Sequence, residues 1–140
     1  MQADTGQPRS HCVVPLRWRD LDHQGHVYHA TLLTLLDEAR TQWISQVLRS
    51  EVPDSYVVAR IELDYRRELR KEDDAVAVTF SVNRVGNTSL TLDEQVRSQA
   101  SGAHIAEAKA TIVFWDRASR SPRPMTSAER QCISTSHSQS

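Results

Sequence analysis

Residues 30–48 read ATLLTLLDEARTQWISQVL, and their periodicity decides the fold. Leu32, Leu36, Ala39, Trp43 and Val47 recur at spacings of four, three, four and four, with Leu33, Leu35, Ile44 and Leu48 beside them. Side chains three and four apart share one face of a helix, so the stripe predicts a helix of about five turns beginning near Ala30. The apolar stripe is wider than a surface helix needs. Such a helix is covered on more than one side, as when a sheet curls around it.

On both sides of this helix the period is two. Val13, Val14, Leu16 and Trp18 predict a first strand, with Pro15 marking an edge or a bulge. After Pro53, the residues Val57, Ala59, Ile61, Leu63 and Tyr65 fall on one face of a second strand, with Arg60, Glu62, Asp64 and Arg66 on the other. A charged turn, RRELRKEDD, leads to Val76, Val78, Phe80 and Val82. Gly86-Asn87 marks a hairpin, and Leu90, Leu92 and Val96 continue in alternation. SQASGA turns the chain into a last strand, Ile105 to Trp115, where Ala106, Ala108 and Ala110 are small enough to admit a close neighbour. Hairpin-length connections imply antiparallel pairing. The expected class is α+β: about five antiparallel strands around one long helix.

A chain of 140 residues suits one domain. Residues 1–10 and the serine-rich residues 126–140 read as flexible tails around a domain at 11–125. With 17 basic and 18 acidic residues the net charge is −1, so nothing draws the chain as a whole to nucleic acid or to a membrane surface. No apolar run approaches the ~20 residues of a membrane span, and the N-terminus lacks the pattern of a signal peptide. Cys12 and Cys132 form no close-spaced pair and read as reduced thiols of a cytoplasmic protein.

Ahead of the helix stands DLDHQGHVYH, residues 20–29, with two carboxylates, three imidazoles and a glycine. Three readings compete. His23, His26 and His29 with Asp20 and Asp22 offer metal-binding atoms, though in no recognised geometric template. Alternatively the loop is a polar turn, with Gly25 supplying backbone freedom, Asp22 bonding loop amides and the histidines solvated. The third reading is chemical. The first turn of a helix carries unpaired N–H groups and partial positive charge, which stabilise an oxyanion. A carboxylate a few residues upstream attacks, or activates water, beside the same carbonyl.

The run WRDLDHQGHVYHATLLTLLDEAR, residues 18–40, resembles the hotdog-fold acyl-CoA thioesterases of the 4-hydroxybenzoyl-CoA thioesterase-like type. The resemblance rests on Asp-x-Asp-x-x-Gly-x-Val followed by a long helix, and it extends over about residues 11–125. It implies Asp22 as the catalytic carboxylate, nucleophile or general base, and His29 as an orienting group and backbone amide donor. Asp20 would be structural, bonding loop amides, Gly25 would permit the close turn, and Tyr28 would line the acyl pocket. The length of that pocket would depend on side chains such as Tyr28, Leu32, Trp43 and Phe80. The resemblance also implies Arg84 and Ser89 of the hairpin, with Arg123 beyond the last strand, near the phosphates of coenzyme A. Glu38 is expected to pair with Arg40 or a neighbouring subunit. No cofactor is expected, coenzyme A being part of the substrate. Relatives of this kind pair into homodimers or homotetramers whose sites draw on two chains. A hotdog hydratase is disfavoured, because neither Asp20 nor Asp22 is followed five residues later by a histidine. Two alternatives remain: thioesters of an acyl-carrier protein as substrates, and a non-catalytic module that binds acyl-CoA or acyl-carrier protein.

Overall fold

The computed structural model describes residues 11–49 and 56–139, so the expected tail at 1–10 lies outside the described residues. Strand β1 (His11–Pro15) precedes helix α1 (His29–Leu48), and then come β2 (Tyr56–Tyr65), β3 (Ala75–Val85), β4 (Ser89–Ser98) and β5 (His104–Asp116). A two-residue strand β6 (Ser121–Pro122) and a second helix α2 (Ser127–Gln139) complete the chain. The sheet order is β1-β3-β4-β5-β2, every pair antiparallel, with β6 on β5. Pro15 ends an edge strand, where its missing N–H costs no ladder bond. Trp18 leaves the first strand for a 3-10 turn, Trp18–Asp20.

The stripe on α1 is the core. Leu32, Leu35, Leu36, Ala39, Trp43, Ile44 and Val47 are all buried, against Val76, Val78 and Phe80 of β3, Leu90, Leu92 and Val96 of β4, and Ile112 and Phe114 of β5. Each large side chain so buried contributes about 1.5–3 kcal/mol. Trp43 lies on Phe80 with ring centroids 5.5 Å apart. This antiparallel sheet curled about one long helix is the hotdog arrangement.

Two details depart from the sequence reading, and a third lies outside it. In β2 the register shifts between Val58 and Arg60, so Ala59 is an extra residue and the alternation changes phase there. The concave face is therefore Tyr56, Val58, Ile61, Leu63 and Tyr65, opposite Phe114, Ile112, Ala110, Ala108 and Ala106. Glu94 occupies an inward position of β4 and is completely buried. The serine-rich end, expected as a loose tail, is helical. Thr126 and Glu129 cap α2 reciprocally: the Thr126 N–H donates to Glu129 Oε1 (2.9 Å) and the Glu129 N–H to Thr126 Oγ1 (3.1 Å). Ile133, only 1% exposed, then joins the core.

Candidate active site

The loop between β1 and α1 is held from both sides. Buried Asp20 accepts hydrogen bonds from the Arg17 N–H (2.8 Å) and Nε (3.1 Å), and the same guanidinium reaches Glu38 on α1 at 3.0 Å. Glu38 is thus paired with Arg17, while Arg40 bonds Asp37 and Glu94. Asp22 Oδ1 accepts the amides of Gln24 (2.8 Å) and His26 (3.0 Å), so Asp22, more than Asp20, is the residue that organises the loop amides. Those bonds, the one from His26 foremost, hold the Asp22 carboxyl below the ordinary aspartate value. Its Oδ2 has no hydrogen-bond partner among the described residues. Gly25 sits at φ +79°, a conformation side chains rarely adopt, and its carbonyl accepts the Lys71 N–H at 3.0 Å.

Helix α1 starts uncapped. Tyr28 is its N-cap residue without a side-chain bond, and no acidic residue lies in the first turn. The amides of Thr31 and Leu32 bond the Tyr28 carbonyl, which leaves the N–H groups of His29 and Ala30 without partners among the described residues. Beside this helix start is a cleft of about 580 Å³ lined by His26, Val27, Tyr28, His29, Leu32, Tyr65 and residues 66–69. Its cations are matched: Arg66 pairs with Glu107, and Arg67 with Asp73. Tyr65, from the far end of β2, donates its hydroxyl proton to the His29 carbonyl (2.9 Å) and meets the His29 ring edge-on.

Of the residues expected at the site, Tyr28 and His29 line this cleft. Asp22 and Gly25 line a neighbouring one of about 330 Å³ with Trp18, Leu21, His23 and Lys71. His26, on the same loop, faces the larger cleft. Trp43 and Phe80, expected to bear on pocket length, belong to the core instead. Arg84, Ser89 and Arg123 lie at the opposite end of the sheet. Phe114, which bonds Thr88 and Arg123, is eight residues along β5 from Ala106 beside Tyr65, about 26 Å in an extended strand. There Ser89 packs on Gly86, where a Cβ would come within 2.6 Å of its hydroxyl. Arg123 lies over the Phe114 ring and is bound twice to Glu129 (2.8 and 2.9 Å), while Arg84 is exposed and has no partner among the described residues. Sequence reasoning misses Tyr65 as a site residue; its inward phase at the end of β2 is the available signal.

A profile of the thioesterase-like superfamily matches residues 16–131, and the chain belongs to that superfamily. No curated protein sequence matches it. Among solved structures, a thioesterase of Thermus thermophilus complexed with coenzyme A and Zn is 28% identical over 93% of this chain and 95% of its own, with a TM-score of 0.78. A Staphylococcus aureus protein in complex with CoA is 12% identical over 92% and 84%, with a TM-score of 0.79. A 1,4-dihydroxy-2-naphthoyl-CoA thioesterase of Synechocystis is 16% identical over 89% and 95%, with a TM-score of 0.72. The last two share the fold. Among the described residues, no three His, Cys, Asp or Glu side chains are grouped so as to hold a metal ion. No helix among them is long and apolar enough to cross a membrane.

Proposed function

We propose that the protein is a cytoplasmic acyl-CoA thioesterase that uses its own side chains and no cofactor. The observation that carries the reading is the uncapped start of α1, where His29 lines a cleft adjoining that of Asp22, whose carboxyl is held below the ordinary aspartate value. The thioester carbonyl oxygen takes the His29 amide, and negative charge developing on it is stabilised by the helix start. Asp22 attacks the carbonyl carbon and expels the thiolate, leaving a mixed anhydride that water then hydrolyses, or it removes a proton from a water that attacks instead; Oδ2 is the oxygen available for either role. Thiolate leaves and is protonated, so one water and one thioester become an acid and a thiol. Gly25 lets the loop turn tightly enough to present Asp22, and Tyr28 lines the acyl side. The Thermus thioesterase complexed with coenzyme A supports this substrate class.

A second copy of the chain completes the site in this proposal. β2 is an edge strand, and along it Val57, Val58 and Tyr65 are 39%, 39% and 43% exposed. Antiparallel pairing of two such edges sets the Tyr56 end of one beside the Tyr65 end of the other. The Arg84, Ser89 and Arg123 end of one copy then approaches the cleft of its mate, where a nucleotide needs cations. Release of free thiol from acyl-CoAs tests the assignment. Turnover that Asp22→Asn abolishes supports it; saturable binding without turnover identifies a binding module instead.

A further inference from the structure

Helix α1 and strand β2 are joined by two tyrosine hydroxyls, one at each end. Tyr56 OH shares a hydrogen bond of 2.8 Å with Thr41 Oγ1, and Tyr65 OH donates to the His29 carbonyl at 2.9 Å. Between these struts the two elements stand apart. The gap is a groove of about 380 Å³ lined by Leu33, Thr34, Asp37, Val58, Ile61 and Leu63. Beside Tyr65, Leu63 and Ile61 on the concave face, β5 carries only Ala106, Ala108 and Ala110, which keeps the space open. Groove and cleft run between the same two elements on the same face. Leu32 lines the cleft and Leu33 the groove; Tyr65 lines the cleft and Leu63 the groove. At the step between them stands Tyr65, its hydroxyl bonded to the His29 carbonyl and its ring set edge-on to the His29 imidazole.

We propose that Tyr65 is the residue that sets acyl length: its ring closes the acyl end of the cleft, and the apolar groove behind it is the space a longer chain would occupy were the ring absent. The inference rests on the thioesterase reading for the identity of the ligand. Its occupant is the hydrocarbon tail, because the groove continues the cleft away from the His29 amide, where the carbonyl would sit, and is walled by Leu33, Val58, Ile61 and Leu63.

The test separates binding from turnover. S-alkyl-CoA thioethers of increasing length, which cannot be hydrolysed, are titrated calorimetrically into wild type and Tyr65→Ala, and kcat/KM is measured for the matching acyl-CoAs. Wild type is expected to gain affinity with each methylene up to a ceiling and then lose it. Tyr65→Ala raises the ceiling, with a gain of about fourfold for each methylene newly accommodated. Adding Leu63→Trp to Tyr65→Ala refills the groove and restores the lower ceiling, and the same tryptophan leaves an otherwise wild-type protein unchanged. Tyr65→Leu, which keeps an apolar side chain, is read in the same way should the alanine variant not fold. A wild type without a ceiling, or a ceiling that neither variant moves, overturns the assignment. So does a Tyr65→Ala protein that changes its sedimentation but not its length profile, since the groove is then a contact between copies. Thioether binding with a movable ceiling but no turnover by wild type sinks the thioesterase reading and leaves the role of Tyr65 standing.

Discussion

The guanidinium of Arg40 on the central helix grips the carboxylate of Glu94 on β4 through two bonds, Nε to Oε2 at 2.7 Å and Nη2 to Oε1 at 2.9 Å, and neither side chain is exposed. Nη1 continues to Asp37 at 2.8 Å. The pair ties the middle of α1 to β4.

Removing one partner leaves the other charge buried alone. Glu94→Ala is expected to cost about 3–5 kcal/mol, whereas Arg40→Met combined with Glu94→Leu costs far less, since the desolvation penalty disappears with the pair. Urea unfolding of the two variants decides this, and equal losses would show that charge is not what matters at the site.

Asp22→Asn keeps an oxygen that can accept the Gln24 and His26 amides, so the loop and the melting temperature should survive. Turnover should fall by about 10²–10⁴-fold, as expected for a lost acid–base or nucleophilic group. The ionised form is the active one, and its carboxyl lies below the ordinary aspartate value. Activity is therefore full above that value and declines only as pH drops through it. The acid limb of kcat/KM should fall below the ordinary aspartate value of about 3.9. A limb near that of an ordinary histidine, about 6.5, would assign it to another group.

Arg84 is expected to act on the nucleotide and on nothing else. Arg84→Ala should raise KM for an acyl-CoA by about fivefold, the worth of roughly 1 kcal/mol of exposed ion pairing, with kcat unchanged. The same acyl group on N-acetylcysteamine, which has no phosphate, should show no change. An equal effect on both substrates would move Arg84 away from the phosphates.

The thiols should differ sharply. Cys12 is 3% exposed and burial pushes its pKa up to about 11, while Cys132 is half-buried on α2. Alkylation near pH 8 followed by mass spectrometry should modify Cys132 first, with Cys12 protected until the protein unfolds.

Much of this architecture is legible directly in the residues. Leu32, Leu36, Ala39, Trp43 and Val47, singled out by spacing, are all buried on α1. The loop containing Asp22 and Gly25 does lead into the start of that helix. The face of β2 is not legible, because one inserted residue, Ala59, reverses the alternation before it and nothing local in YVVARIELDY marks a bulge. The C-terminal helix is legible in principle, since Thr126-Ser-Ala-Glu129 has capping-box spacing, but its serine content suggests disorder. Glu94 is in phase with Leu90, Leu92 and Val96, yet its charge argues for an outward position until Arg40, 54 residues away, supplies a partner.

Interactions spanning a turn or less were therefore determined by the sequence alone: the helical stripe, the alternation of β3 and β4, and the polar turn around Asp22. Each depends on residues within about four positions of one another. Only the tertiary structure decided that Tyr65 closes over His29, that Arg40 meets Glu94, and that Asp22 and His29 line adjoining clefts. Those relationships depend on how a bulged, twisted sheet wraps its helix, and the wrap is settled by the packing of many distant side chains together.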